Sequence, residues 1–391
     1  MGAEVVTLGC RLNLSESEEM RALLAHEHDL VVINSCAVTS EAVRQTRRAI
    51  RRARAAHPAA RLLVTGCAAE VERAALAAMP EVDGFVANAA KLDPRAWNAA
   101  AALPRPPSAH HTRAFVQVQN GCDHACTFCV IPQGRGPSRS RPTHAVITEI
   151  ERQLDGGIRE VVLTGVDLTD WGKDLPGAPR LGTLVAAILT ACPALERLRL
   201  SSLDGIEIDP ELFELLWSEP RIMPHLHLSL QSGDDMVLKR MKRRHTRRDG
   251  VSLVARLKAR RPDIAIGADL IAGFPTEDEA MHEANRSIIA ELGVVHGHIF
   301  PYSQRPGTPA ARMPQVPPVT IKRRAAELRE TVSTERAKWL TGLIGTPLSV
   351  LAERDGTGHA QNFARVLLPA GTLAGTMIEF TPTRLTEGLL A

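Results

Sequence analysis

Two series of alternating strand-like and helix-like segments constrain this chain more than any other feature. Residues 1–97 carry "EVVTLGC", "DLVVINSC" and "RLLVTGC", short β-branched runs that are each followed by helical sequence. Such alternation implies a small parallel sheet with crossover helices. A second, longer series contains "AFVQVQ", "EVVLTG", "RLRLSS", "HLHLSLQ", "IAIGADLIAGF" and "VVHGHIFPYS". Helical patterns lie between these runs at 143–155, 181–191, 210–217, 249–260 and 277–291. Six βα-type units over residues 113–305 predict a partial (β/α)6 barrel, the simplest curved arrangement that right-handed crossovers allow. A flat doubly wound sheet is the alternative. The fold class is therefore α/β.

With 391 residues the chain exceeds what one hydrophobic core supports. The expected division is 1–102 for the first series, 112–340 for the barrel with a following helix, and 341–391 for a short β module. "LPRPPSAHH" (103–111) reads as a Pro-rich linker, and 317–345 as a long helix ending at Gly345. The tail shows three strand-like runs, "LSVLAE", "ARVLLP" and "GTMIEF", about one hairpin plus a strand. There is no basic-then-apolar leader and no apolar run of the roughly 20 residues a membrane helix needs. No membrane partner and a cytoplasmic location are the expectation. In a reducing compartment seven cysteines argue for metal or catalysis rather than disulfides.

Each run of the first series ends in a cysteine: Cys10, Cys36 and Cys67. In open α/β sheets the functional crevice lies beyond the carboxyl ends of the strands, so these three converge in space. A second trio, Cys122, Cys126 and Cys129, reads C-x3-C-x2-C directly after the first barrel strand. That is the carboxyl rim of the barrel, where active sites sit. Three thiolates hold three irons of a [4Fe–4S] cluster and leave the fourth open for a small molecule. Zinc would want a fourth ligand, for which His124 inside the motif is the candidate. A [2Fe–2S] cluster needs four protein ligands. Cys192 is left over and reads as a core residue at a helix end.

C-x3-C-x2-C with Phe128 before the last cysteine resembles the signature of the radical S-adenosylmethionine enzymes. The resemblance runs along nearly the whole chain. "TLGCRLNLSESE", "VVINSCAVTSEA" and "LLVTGCAAE" look like the N-terminal domain of the methylthiotransferases of that superfamily. So do "CTFCVIPQGRGPSRSR", "LRLSSLD", "LHLSLQSGDDMVLKRMKRRHTRRD", "DLIAGFPTE" and "FPYSQRPGTPA". The resemblance implies two [4Fe–4S] clusters, one on Cys122, Cys126 and Cys129 and an auxiliary one on Cys10, Cys36 and Cys67. The open iron of the first binds S-adenosylmethionine, and His124 becomes a spacer. Contacts to S-adenosylmethionine are implied for Thr164, Gly165, Ser202, Gln231 and Asp269, with Phe128 beside the cluster. The family's reaction inserts sulfur and a methyl group at an unactivated C–H bond, which no side chain attacks but a carbon radical does. Its electron comes from a reductant such as flavodoxin or ferredoxin.

The substrate reading rests on charge placement and on branch signatures. Basic clusters occur at Arg44, Arg47, Arg48, Arg51 and Arg52, at Arg135, Arg139 and Arg141 beside the cysteine loop, and at "KRMKRRHTRR" (239–248). On a chain of formal net charge +3, such patches suggest a polyanion footprint. "TLGCRLN" and "NSCAVT" resemble most the branch that modifies N6-threonylcarbamoyladenosine 37 in tRNA, beside the anticodon. The branches acting on N6-isopentenyladenosine in tRNA or on a ribosomal-protein aspartate are the alternatives, and a zinc-stabilised RNA-binding protein is the non-enzymatic one. The last module is similar to the family's RNA-binding TRAM domain but is not basic. Arg354, Arg365 and Arg384 stand against Glu353, Asp355, Glu379 and Glu387.

Overall fold

β1 (Glu4–Thr7), β2 (Leu30–Ser35), β3 (Arg61–Gly66) and β4 (Gly84–Phe85) lie side by side in chain order and pair in parallel. Helices α1 (Arg11–Leu23), α2 (Ser40–Ala56), α3 (Cys67–Val71) and α4 (Arg73–Ala77) follow the first three strands. β2 is buried along its whole length, as a central strand covered on both faces must be. The Thr39 hydroxyl accepts the Ala42 amide at 3.1 Å and sets the start of α2. The computed structural model describes residues 2–98 and 111–391, so the expected linker falls outside the described residues except for His111.

The second series begins with β5 (Arg113–Gln117), then a two-stranded ribbon of β6 (Gln119–Asn120) and β7 (Arg139–Ser140). β8 (Glu160–Thr164), β9 (Arg197–Leu200), β10 (His225–Gln231), β11 (Ala265–Ala272) and β12 (Val294–Pro301) follow. β5, β8 and β9 pair in parallel, as do β10, β11 and β12. Parallel bridges at Leu198–Ile222 and Leu203–Leu228 join the two sets. The long strands thus run in chain order, whereas a doubly wound sheet would reverse direction. This is the expected partial barrel.

Helices α5 (Ile131–Arg135), α6 (Thr143–Asp155), α7 (Leu181–Ala191), α8 (Pro210–Ser218), α9 (Asp235–Arg240), α10 (Arg247–Lys258) and α11 (Glu279–Leu292) connect the strands. α9 lies where the basic run masks its periodicity. Ala114, Val116, Leu163, Leu198, Leu200, Leu226 and Leu228 pack outward into one core with α6, α7 and α8. Cys192 is buried in that core, as expected. Strand residues alternate between faces, so Arg113, Glu160, Arg197, Arg199, His225, His227, Asp269, His296 and His298 face inward. A polar lumen replaces the layered aliphatic filling of a closed barrel. Among the described residues no helix is long and apolar enough to cross a membrane.

α12 (Pro318–Gly342) stops short of the expected Gly345, which adopts φ +80° in the turn that follows. The tail holds more strand than its three runs promised. β13 (Leu348–Ala352), β14 (Thr357–Ala360), β15 (Arg365–Leu367), β16 (Met377–Phe380), β17 (Leu385–Thr386) and β18 (Leu389–Leu390) form one sheet in the order β16-β13-β14-β15-β18-β17. The added strands are two to four residues long, too short to show a period of two.

This sheet closes the amino-terminal mouth of the barrel. Arg197 donates to the carbonyls of Ser349 at 2.6 Å and His359 at 3.3 Å, and Arg199 to those of Gln361 at 3.0 Å and Ala360 at 2.9 Å. Phe363 stacks 4.9 Å from His225 and under the Arg199 guanidinium. The carboxyl-terminal mouth stays free for the cysteine loops. The first sheet covers the gap between the edge strands. The Ser15 hydroxyl donates to the Phe115 carbonyl at 2.8 Å, the Ser40 amide to the Ser303 hydroxyl at 2.9 Å, and Arg305 to Glu72 at 2.8 Å.

Candidate active site

The parallel register of β1, β2 and β3 brings Cys10, Cys36 and Cys67 to neighbouring strand ends. Cys10 caps α1, Cys36 follows β2, and Cys67 opens α3. Gly9, at φ +94°, leaves no room for a side chain: a Cβ there would stand 2.8 Å from the Cys36 sulfur. The second trio lies in the loop after β6. Gly121, at φ +74°, folds this loop so tightly that a Cβ would meet the Pro137 carbonyl oxygen at 1.9 Å, and the Cys122 amide closes it on the Gly136 carbonyl at 3.1 Å.

The two loops meet at α3 and α5. A Cβ on Gly134 of α5 would lie 3.2 Å from the Cys67 Cβ, and the Asn88 amide donates to the Gly134 carbonyl. Beneath this junction sits a buried charge cluster. Glu16 accepts from Arg135 at 2.8 Å and pairs with Lys91 at 2.7 Å, while Arg135 also donates to Asn120 and Asn13. Arg135 was expected to touch the substrate. It is instead buried and engaged with Glu16, because the α5 turn points it under the cysteines rather than outward. Arg139 is exposed, and Arg141 is half-buried and donates to the Gln117 carbonyl.

The donors around the thiols suit thiolate sulfur. The His124 amide approaches the Cys122 sulfur at 3.4 Å, the Ile131 amide the Cys129 sulfur at 3.4 Å, and the Arg243 guanidinium the Cys126 sulfur at 3.8 Å. Burial pushes the Cys36 and Cys129 thiols up to about 11 and Cys122 up to about 12. At neutral pH these thiols keep their protons unless a bound metal replaces them. Cys126 departs from this pattern: burial raises it, but His124 and Arg243 outweigh burial and lower it. The three-thiol set of Cys122, Cys126 and Cys129, with its amide and guanidinium donors, therefore fits a thiolate-ligated iron–sulfur group.

His124 is more than a spacer. Its imidazole sits 2.9 Å from Asp167, which with Cys126 raises its pKa to about 10. Arg243 and Arg244 reach Asp204 and Glu207 at 2.8 Å each, so a belt of charge ties the cysteine loop to the barrel rim. The sequence offered no spacing signal for this belt, since its members come from four separate segments.

Thr164 is buried at the end of β8, and Gly165 packs against Gln119, where a Cβ would come within 2.9 Å of its side-chain oxygen. Gln231 ends β10 at φ +65°, and Ser202 follows β9 half-buried. Asp269 accepts from His227 and His298 at 3.0 Å each. All five positions lie on barrel strands or within two residues after them. The H-x-H pairs at His225/His227 and His296/His298 were legible as polar alternation in apolar strands. Phe128 meets Phe274 edge-on at 6.4 Å, and Gly273 at φ +72° turns the fully buried Phe274 beneath it.

The basic run 239–248 is largely consumed by the fold. Arg240 donates to the Thr276 carbonyl, Arg243 to Asp204, Arg244 to Glu207, and Arg247 to Glu291 and the Ala284 carbonyl. Lys239, Lys242 and Arg248 remain exposed. On α2, Arg48, Arg51 and Arg52 form an exposed basic face with Gln45.

Comparison with known proteins bears on this arrangement. The description "Radical SAM superfamily" matches residues 116–287, and "Uncharacterized protein family UPF0004" matches residues 3–87. Threonylcarbamoyladenosine tRNA methylthiotransferase MtaB of Rickettsia prowazekii is 42% identical over 99% of this chain and 96% of its own. The MtaB protein of Bacillus subtilis is 32% identical over 85% of this chain and 80% of its own. A tRNA-2-methylthio-N(6)-dimethylallyladenosine synthase of Cereibacter sphaeroides is 33% identical over 90% of this chain and 87% of its own. Among solved structures, the radical S-adenosylmethionine methyltransferase TsrM of Kitasatospora setae shares the fold. Its TM-score is 0.55 at 16% identity, over 75% of this chain and 66% of that one.

Proposed function

Because this chain belongs to the radical S-adenosylmethionine tRNA methylthiotransferases, we propose that it adds a methylthio group at C2 of N6-threonylcarbamoyladenosine 37 in tRNA. The observation that carries this reading is the meeting of two cysteine trios at Cys67 and Gly134 in a chain similar end to end to a threonylcarbamoyladenosine enzyme. The same relatives favour an enzyme over a zinc-stabilised binding protein. The superfamily implies a [4Fe–4S] cluster and S-adenosylmethionine. When bound, they supply the carbon radical that takes hydrogen from an unactivated C–H bond.

Cys122, Cys126 and Cys129 hold that cluster in this reading, and Cys10, Cys36 and Cys67 hold a second one that presents sulfur. Arg243 and His124 neutralise the first thiolate set, and Arg135 and Lys91 the second. Thr164, Gly165, Ser202, Gln231 and Asp269 position S-adenosylmethionine against the cluster of Cys122, Cys126 and Cys129. A small electron-transfer protein such as flavodoxin or ferredoxin is the reductant. The division at 1–102, 112–340 and 341–391 matches these roles: sulfur carrier, radical barrel and barrel floor.

The test is nucleoside analysis of tRNA from a deletion strain, and of that tRNA after treatment with reconstituted protein and S-adenosylmethionine. The expected result is accumulation of threonylcarbamoyladenosine without its methylthio form, restored by the protein. Accumulation of unmethylthiolated isopentenyladenosine instead would move the chain to the other tRNA branch, and unchanged tRNA would point to a protein substrate.

The anticodon stem approaches along the exposed cations. Reversing Lys239, Lys242 and Arg248 to glutamate should weaken tRNA binding and flatten its salt dependence. Each lost phosphate contact removes ~0.7–0.9 from the slope of log K against log salt, so three lost contacts should lower it by about 2 to 3. An unaltered slope in a salt titration would remove these residues from the footprint.

A further inference from the structure

Arg11 stands apart from every other arginine of the lumen. Four guanidinium groups gather there, those of Arg11, Arg113, Arg197 and Arg199. Glu160 serves Arg113 at 3.7 Å, Arg197 at 3.4 Å and Arg199 at 2.8 Å. Glu353 takes Arg113 a second time at 2.5 Å, and Asp269 is shared by His227 and His298. Among the described residues no carboxylate forms an ion pair with Arg11. Glu160 and Asp269 act on it only from beyond ion-pair distance, and its guanidinium lies over two rings, Phe115 at 5.9 Å and Phe363 at 5.7 Å. The side chain is solvent-accessible. It follows Cys10 directly, and its guanidinium reaches down the lumen to the Phe363 ring at the floor.

We propose that Arg11 is a specificity-determining residue that receives the carboxylate of the threonylcarbamoyl group on the target adenosine. This rests on the reading above and sharpens it. An unpaired, accessible guanidinium on two aromatic faces is held in place yet keeps its N–H fork free, which suits a planar carboxylate. Surrounding arginines with spent counter-charges leave the locality short of negative charge. A base carrying an anionic substituent supplies it; an isopentenyl group cannot, and leaves the fork facing hydrocarbon. A loop phosphate is the other source of anionic charge in a tRNA.

The experiment uses the reconstituted protein and three synthetic anticodon stem-loops. One bears threonylcarbamoyladenosine, one its threonyl methyl ester, and one isopentenyladenosine. Binding is read by fluorescence anisotropy and turnover by nucleoside analysis, for wild type, Arg11→Gln and Arg11→Lys. Iron content reports whether each variant holds its clusters. Wild type should prefer acid over ester by about tenfold or more in kcat/KM, the scale of one charge-assisted pair. Arg11→Gln should abolish that preference, and Arg11→Lys should keep a reduced one. Should Arg11→Gln lose iron, Arg11→Lys decides, because an ammonium lacks the fork. A full acid-over-ester preference in the deciding variant overturns the proposal. Equal weakening of acid and ester binding overturns it in favour of a phosphate. A wild type that methylthiolates only the isopentenyl stem-loop overturns the underlying function as well, which separates the two failures.

Discussion

Cys126→Ala is expected to abolish cleavage of S-adenosylmethionine while leaving Cys10, Cys36 and Cys67 able to bind iron. Burial raises the other two thiols of its loop, whereas His124 and Arg243 lower Cys126. Cys126 is thus the thiol readiest to lose its proton and meet iron first. Its removal leaves two ligands of three, while His124 and Arg243 keep their carboxylates Asp167 and Asp204. Iron and sulfide per chain should fall by about half, and the release of 5′-deoxyadenosine under dithionite should drop below detection. Retained cleavage would refute the assignment of this loop. The mirror change, Cys36→Ala, should spare cleavage and stop methylthiolation.

Glu160→Ala should destabilise the protein by about 3–5 kcal/mol, the usual consequence of stripping a buried cluster of its only shared counter-charge. Glu160 is fully buried on β8 and is the point on which Arg113, Arg197 and Arg199 converge. Burial alone would raise its carboxyl, but Arg199 and Arg113 outweigh burial and hold it below the ordinary value. Its contribution is therefore complete above the ordinary carboxylate pKa of about 4.3 and is lost as pH falls through the lower folded value. The check is the thermal midpoint of wild type and Glu160→Ala across pH, with proteolysis of residues beyond 342 as a second readout. An unchanged midpoint at neutral pH would show that the arginines find other acceptors.

Much of this molecule was legible from its sequence because strand order follows chain order. Once six βα units were counted, their loops had to gather at one rim, and Cys122, Cys126 and Cys129 with them, while the order of β1, β2 and β3 gathers Cys10, Cys36 and Cys67. The charge clusters were harder. "KRMKRRHTRR" looks like a solvated patch, yet Arg240, Arg243 and Arg247 turn inward to carbonyls and carboxylates more than twenty residues away, which no local pattern encodes. Arg135 misled for the same reason: its partner Glu16 lies in the other sheet's first helix. The tail's short strands were missed because they are defined by pairing, not by periodicity. His124 was passed over as a spacer because Asp167, its partner, comes from the loop after β8.

The floor of the barrel has a consequence for biosynthesis. Besides Glu160, Arg197 and Arg199 find their acceptors at Ser349, His359, Ala360 and Gln361, and Phe363 lies under the Arg199 guanidinium. While the ribosome has delivered the chain only through α12, these two guanidinium groups share Glu160 and lack the carbonyls that complete them. Domains tend to fold as they emerge, but this barrel cannot finish until residues 349–363 have left the exit tunnel. Premature termination between α12 and Phe363 therefore yields an open-ended barrel with buried cations facing water, a substrate for quality-control proteases rather than a shortened enzyme.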